Sequence, residues 1–446
     1  MTTASQARKR RDVSDLEIVA FERGSYTSYS ACGIPYFVGN VVERSEDLIV
    51  RTPEAFRERQ QIDARTHHEV VGIDLDRRAV TVRNLESNQE STESFDQLMV
   101  ATGGTPIRPP LDGIDSEGVF GVQTLDDGLA IERFIEDEKP KHAVIVGGGY
   151  IGLEMAEAFQ LRGIEVALVE LGPQPMSTLD PDMGALVARG MTDLGISLYL
   201  EERVEGFESE GGRVRATVTE ERELHSDIVV LGIGSGPNAD LAREAGVPIG
   251  ESGAVAVNRR MQTGIDGVWS AGDCAEKFHL VSRRPVAIAL GTHANKEGRV
   301  AGINIGGGYA TFPGVVGTAT SKICGYEVAR TGLQESEAAA AGFEAIGVTT
   351  ESTTRAGYYP GGGKITTKLV VERRSGRLLG AQIVGQEGAA KRIDVLATAL
   401  WNEMTVDQML NVDLSYAPPF SPLWDPVLIS ARKAWDEIQL QTAELR

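Results

Sequence analysis

Cys32 lies in Ser28-Tyr29-Ser30-Ala31-Cys32-Gly33-Ile34-Pro35-Tyr36, a cysteine between aromatic residues with glycine and proline behind it. Glycine lets the backbone approach a flat ligand and proline fixes the next turn, so the spacing predicts a shaped loop or a first helical turn rather than a strand. At a helix N-terminus the peptide dipole favours thiolate over thiol, and the thiolate is the nucleophile. The alternative is a small buried hydrophobe without chemistry. A second pattern, Gly147, Gly149 and Gly152 in Lys141 to Glu157 (KHAVIVGGGYIGLEMAE), has the GxGxxG spacing.

Three glycines alone arise by chance in a chain with 51 of them. Here an apolar strand precedes them and a helix running to about Gly163 follows. The strand Glu165 to Glu170 then closes on an acid 18 positions after Gly152. That order is a dinucleotide-binding βαβ unit: the glycines admit a pyrophosphate, which rests on the helix N-terminus. Glu170 would accept hydrogen bonds from the adenosine ribose and repel a 2′-phosphate, which favours NADH and leaves NADPH possible.

Other segments repeat half of this grammar. Residues 1 to 11 (MTTASQARKRR) read as a helix, and Leu16 to Phe21 as a strand ending at Glu22, the second half of a similar unit. Strands are expected over 68 to 84 with a turn at Asp74 to Arg78, over Phe95 to Gly104, over Asp227 to Gly236 and over Gly267 to Asp273. Asp273, at a strand end after Ala-Gly, is placed to bind a polar ligand at the carboxyl edge of a sheet; a solvated turn is the alternative. From about residue 315 the glycine turns give way to strands such as Lys364 to Val371 and helices such as Ala389 to Met404, an α+β pattern.

The totals exclude several classes. A chain of 446 residues calls for two or three domains. A net charge of -20 argues against a nucleic-acid surface, while leaving room for a local basic site. No apolar run approaches the roughly 18 residues of a membrane span, and no apolar segment follows the basic N-terminus as in a secretory signal. Cys32, Cys274 and Cys324 are odd in number and far apart, which points to a reducing cytoplasm rather than a disulfide framework. The six histidines lack HExxH or CxxC company, so no metal site is expected.

Together these blocks resemble the single-cysteine branch of the pyridine nucleotide-disulfide oxidoreductases, over the whole chain. The likeness is strongest to the coenzyme A-disulfide reductases, through SxxxCGxPY around Cys32, AGYYPG at 356 to 361, EGAAKRIDV at 387 to 395 and YAPPFSPLWDP at 416 to 426. The resemblance implies an α/β protein of two nested Rossmann-like domains and a C-terminal α+β dimerisation domain. FAD would occupy 1–110 with 245–314, the nicotinamide nucleotide 111–244, and the homodimer contact 315–446.

On that template Glu22, Val70, Ala101, Thr102, Gly103 and Asp273 bind FAD, and Gly147, Gly149, Gly152, Glu170 and Gly234 bind NADH. Cys32 is the redox thiol, with Tyr358, Tyr359 and Tyr416 lining the disulfide site and Tyr416 reaching across from the second subunit. Ser28, Lys391 and Arg392 would face the substrate. Arg8 and Arg11, within Arg8-Lys9-Arg10-Arg11, would seat the phosphates of coenzyme A; a solvated helix face is the equal alternative.

NADH would reduce the flavin and the flavin Cys32, which would carry a mixed disulfide with coenzyme A or another small thiol or persulfide. An NADH oxidase or peroxidase would instead cycle the same thiol through sulfenic acid. Cys274 and Cys324 are expected to be buried and inert. The family's opening strand and glycine turn do not precede Met1. The expectation is a coding start placed roughly a dozen residues too late, rather than a truncated product that binds NADH without catalysis.

Overall fold

The computed structural model describes residues 1–323 and 325–444; Cys324 lies outside the described residues. Its centre is a five-stranded parallel sheet ordered Ser197–Leu200, Glu165–Glu170, His142–Val146, Ile228–Leu231, Val119–Gly121. Helices pack on one face, against Ile145 and Val230, and the antiparallel strands Val204–Glu210 and Arg213–Thr219 pack on the other, against Val144 and Val229, so the sheet's strands are apolar throughout rather than alternating. Val144, Ile145, Val229 and Val230 are accordingly almost inaccessible to solvent. The Leu125–Glu138 helix enters through a capping box in which Thr124 and Asp127 satisfy each other's backbone N–H groups. The glycine-loop helix, Tyr150–Leu161, begins straight after Gly149.

Around this sheet the N-terminal part is built from smaller pieces. Val19–Phe21 pairs in parallel with Asp63–Arg65, and Leu98–Val100 with Val268–Ser270. His68–Asp74, Ala79–Asn84 and Glu90–Ser94 form an antiparallel meander. The expected strands Leu16 to Phe21 and Phe95 to Gly104 are thus shorter than their apolar runs, because only the residues with a ladder partner are extended. The Thr2–Arg8 helix lies against Gly291–Ile305, where a side chain at Gly302 would collide with Thr3 O at 2.4 Å.

The C-terminal part is a five-stranded antiparallel sheet ordered Ala319–Ile323, Tyr326–Gly332, Leu378–Gly385, Lys364–Glu372, Ala345–Thr353. Every residue of Leu378–Gly385 is buried, between the Ile393–Trp401 helix and the Pro181–Asp193 helix of the parallel-sheet unit. The two units are fastened by a polar cluster. Lys368 Nζ lies 2.7 Å from Asp182 Oδ1 and 3.3 Å from Asp180 Oδ2, and Gln382 Nε2 donates to Asp180 Oδ2 at 2.7 Å. Among the described residues no helix is long and apolar enough to cross a membrane.

Candidate functional site

Cys32 is the middle residue of a 3₁₀ turn, Ala31–Gly33, that leads directly into the helix Ile34–Val38 with Pro35 in its first turn. Ser30 N donates to Leu48 O at 2.8 Å and Gly33 N to Ser30 O at 2.8 Å, which pins the turn. A side chain at Gly33 would meet the buried Leu48 at 2.3 Å, so only glycine lets the turn lie down on the core. The residue is exposed and unpaired, whereas Cys274 is free but fully buried, with its thiol 3.5 Å from Ser270 Oγ.

The expected dipole-stabilised thiolate is not what the surroundings produce. Partial burial of the thiol, then the negative potential of Glu154 and, more weakly, of Asp273 push the Cys32 pKa up; only a backbone hydrogen bond opposes them. The following helix is five residues long, too short a dipole to outweigh a carboxylate. Glu154, on the glycine-loop helix, is itself raised, first by burial, and accepts a 2.7 Å hydrogen bond from Ser321 Oγ. Its electrostatic hold on Cys32 was not read from the sequence; the available signal was one acid interrupting the otherwise apolar YIGLEMA turn.

At the carboxyl end of the parallel sheet the three glycines behave differently. A Cβ at Gly152 would lie 2.0 Å from Gly147 O, and one at Gly147, whose φ is 99°, would lie 2.7 Å from Gly232 O. These two allow strand and helix to cross closely. A Cβ at Gly149 meets nothing nearer than 3.7 Å, leaving that side of the loop open to a pyrophosphate at the helix N-terminus. Glu170 accepts from Gly148 N at 2.6 Å and Gly172 N at 2.8 Å, so it also holds the loop's shape. Those bonds use two of roughly four acceptor directions and leave capacity for ribose hydroxyls. Gly234 has a φ of 97°, and its carbonyl accepts from Ile107 N at 3.0 Å.

The residues assigned to the flavin are also firmly placed. Glu22 Oε1 accepts from Gly24 N at 2.7 Å at the end of its strand. Val70 sits beside a bulge in the meander. Ala101, Thr102 and Gly103 follow Leu98–Val100, and Asn238 ties down both Thr102, by Nδ2 to O at 3.3 Å, and Gly103, by N to O at 2.9 Å. Asp273 is held by a device the sequence reading missed. Lys277 Nζ donates to Gly272 O at 2.7 Å and Ala275 O at 2.8 Å, while Glu297 Oε2 accepts from Gly272 N at 2.8 Å. This frame leaves Asp273 Oδ1 buried and without a partner. A buried acceptor kept unsatisfied fits a ligand hydroxyl, such as those on the ribityl chain of FAD.

The tyrosine motifs come together at a second place. Ala356 N donates to Pro418 O at 3.1 Å, and the neighbouring Tyr358 hydroxyl pushes the Tyr416 pKa up. Tyr358 is 77% exposed, and Tyr359 and Tyr416 are also exposed. Among the described residues no hydrogen bond or ring contact joins them to Cys32. Arg392 does not present its guanidinium to solvent. Nε donates to Asp425 Oδ2 at 3.0 Å, and Nη2 to Thr354 O at 2.9 Å and Phe420 O at 2.6 Å. It therefore buckles the two tyrosine loops together.

Lys391 is exposed and paired with Asp394. Ser28 offers its carbonyl to Val50 N at 3.0 Å. Arg8 donates to Gln60 O at 3.0 Å and Gln61 O at 3.1 Å, and Arg11 to Gly306 O at 3.4 Å. The arginines are thus partly spent on backbone carbonyls.

Residues 1–298 match the family described as pyridine nucleotide-disulphide oxidoreductase, and residues 318–426 match its dimerisation domain. The chain is 38% identical, over 97% of its length and 95% of the relative's, to a CoA-dependent NAD(P)H sulfur oxidoreductase of Pyrococcus abyssi. It is 30% identical to the coenzyme A disulfide reductase of Staphylococcus haemolyticus, covering 98% of this chain and 97% of that one. The solved structure of an NAD-dependent persulfide reductase from A. fulgidus superimposes with a TM-score of 0.94 at 38% identity, over 98% of this chain and 81% of that one. With the glycine loop at 147–152, the cysteine turn and the C-terminal antiparallel sheet in one chain, and these matches over nearly all of its length, this chain belongs to the pyridine nucleotide-disulphide oxidoreductases.

Proposed function

We propose that this protein is an FAD-dependent, NADH-driven reductase of coenzyme A disulfide or a related small disulfide or persulfide, with Cys32 as its redox thiol. The observation that carries the reading is the contrast between the exposed, unpaired Cys32 on a pinned turn and the sealed Cys274. The named activities of the relatives support the same substrate class.

Residues 1–110 with 245–314 would hold the flavin through Glu22, Thr102, Gly103 and Asp273. Residues 111–244 would hold NADH through Gly147, Gly149, Gly152 and Glu170, and 315–446 would pair two chains. When bound, the flavin supplies a route for two electrons from NADH to the cysteine. Cys32 contributes the bond exchange: its thiolate attacks one sulfur of R–S–S–R, Cys32–S–S–R forms, and one RS⁻ leaves. Two electrons then cleave Cys32–S–S–R to the Cys32 thiolate and a second RS⁻. The balance is NADH, one proton and R–S–S–R giving NAD⁺ and two R–SH.

Because Cys32 is pushed toward the protonated thiol, its nucleophilic fraction grows as pH rises through the neutral range. Tyr358, Tyr359 and Tyr416 would stand beside the leaving sulfur of the partner chain's site, with Arg392 positioning them. Lys391, Arg8 and Arg11 remain candidates for the phosphates of coenzyme A. Such a thiol cycle belongs in a reducing compartment, the cytoplasm, and requires neither nucleic acid nor membrane.

Anaerobic titration of the flavin-loaded protein with NADH tests the reading. Bleaching of the flavin that coenzyme A disulfide reverses supports it; bleaching reversed only by oxygen identifies an oxidase instead.

A further inference from the structure

His142, His225 and Asp227 meet at the amino ends of the parallel strands, the edge of the sheet opposite the glycine loop. His142 opens the strand His142–Val146, His225 ends Glu223–His225, and Asp227 immediately precedes Ile228–Leu231. His142 Nδ1 and His225 Nε2 each stand 3.3 Å from an Asp227 carboxylate oxygen, the first from Oδ2 and the second from Oδ1. The two rings meet edge to face with centroids 4.9 Å apart, and one potential ligand atom from each of the three residues lies within 4.8 Å of the others. From this geometry we infer that His142, His225 and Asp227 form a binding site for a divalent transition-metal ion, zinc being the simplest occupant, independent of the redox chemistry.

The arrangement has the parts such a site needs. Two imidazoles and a carboxylate are ligands for zinc and its neighbours, and with bonds of roughly 2.0–2.1 Å a tetrahedron has edges of about 3.4 Å. The two 3.3 Å nitrogen-to-oxygen separations match that edge, one to each carboxylate oxygen, so Asp227 presents Oδ2 on the His142 side and Oδ1 on the His225 side. Asp227 cannot drift, because its Oδ2 accepts from the backbone N–H groups of Lys141 at 2.8 Å and His142 at 2.9 Å. Its Oδ1 faces His225. On the far side of His142, Nε2 lies 3.7 Å from Glu165 Oε2, a carboxylate placed to orient the ring with Nδ1 turned inward. His225 is the exposed member, so its side chain can close the remaining gap, and solvent can supply the fourth ligand.

The three ligands come from two β-strand junctions already in register, where Asp227 N donates to His142 O at 2.9 Å and Ile228 pairs with Ala143. A bound ion would bolt the Glu223–His225 strand to the base of the parallel sheet, stabilising the folded state in proportion to its occupancy. The pattern could not be seen in sequence, since His142 lies more than 80 positions before its partners.

Zinc chloride titrated into the full-length, flavin-loaded Cys32→Ser protein tests the inference; that background removes the exposed thiol as a competing ligand. The expected result is one zinc ion per chain and a melting temperature that rises with zinc. In Cys32→Ser/His225→Ala the affinity should fall at least tenfold and the melting shift should vanish, with the circular dichroism spectrum unchanged. His142→Ala in the same background should do likewise. Equal zinc uptake with and without His225, or no uptake by the parent, overturns the site.

Discussion

Lys277 Nζ lies 3.7 Å from Glu297 Oε2, with both side chains completely withdrawn from solvent beneath the loop that carries Asp273. Lys277 is held by the Gly272 and Ala275 carbonyls and Glu297 Oε2 by Gly272 N, each beside the other's charge, although Glu297 Oε1 is buried without a partner. Removing one partner leaves an uncompensated buried charge. Lys277→Met should therefore destabilise the fold by about 3–5 kcal/mol in urea titrations and release flavin. Adding Glu297→Leu should restore much of the stability but not flavin retention, because Asp273 would remain unframed. Full stability of the single variant would show that the pair does not hold the loop.

Glu154 gives the thiol its elevated pKa after burial, so the charge can be removed without touching Cys32. In Glu154→Gln the Cys32 pKa should fall, and alkylation by iodoacetamide at neutral pH should speed up roughly two- to tenfold. The effect should shrink at alkaline pH, where the thiol of both proteins is ionised. An unchanged alkylation rate would remove Glu154 from the electrostatics of the site.

His293 sets a pH dependence. Its pKa is lowered to about 4, first by burial and then by the positive potentials of Lys277, Lys296 and His279. An unfolded chain protonates this ring near pH 6.5. Between pH 6.5 and 4 the unfolded state thus binds the extra proton, and stability falls as the solution is acidified. The loss from this one group should reach up to about 3 kcal/mol near pH 4. Urea titrations at pH 7 and pH 4.5 should show a smaller difference in His293→Asn; an identical difference would assign the acid sensitivity elsewhere.

Arg392 fastens Asp425, Thr354 and Phe420, and so the loops bearing Tyr358 and Tyr416. Arg392→Ala should raise KM for the disulfide roughly tenfold, the equivalent of about one charge-assisted hydrogen bond, while anaerobic reduction of the flavin by NADH keeps its rate. Equal loss in both half-reactions would mean that the whole fold, not the tyrosine loops, depends on the clasp.

The parts of this architecture that were legible in the sequence are local. Strand, glycine turn, helix and closing acid at 142–170 occupy one continuous stretch, and each residue type follows from a backbone demand within it. The Cys32 turn was legible for the same reason: glycine and proline act on their own neighbours. Strand ends were not, since an apolar run such as Leu16 to Phe21 begins before its first ladder partner, Val19.

Relationships set by tertiary contact were hidden too. The carboxyl of Glu154 reaches the thiol loop from a different βαβ unit, Lys277 finds Glu297 across a loop and a helix, and Arg392 turns inward although its sequence neighbour Lys391 stays in solvent. The upward shift of the Cys32 pKa, against the expected downward one, comes first from burial of the thiol and then from such distant carboxylates.

The central claim, that Cys32 carries the substrate as a mixed disulfide, is tested most directly by mass spectrometry of the NADH-reduced protein after anaerobic exposure to excess coenzyme A disulfide. The account predicts one coenzyme A per chain, attached to the peptide containing Cys32 and released when NADH is added. No adduct, or an adduct confined to another cysteine, would contradict it.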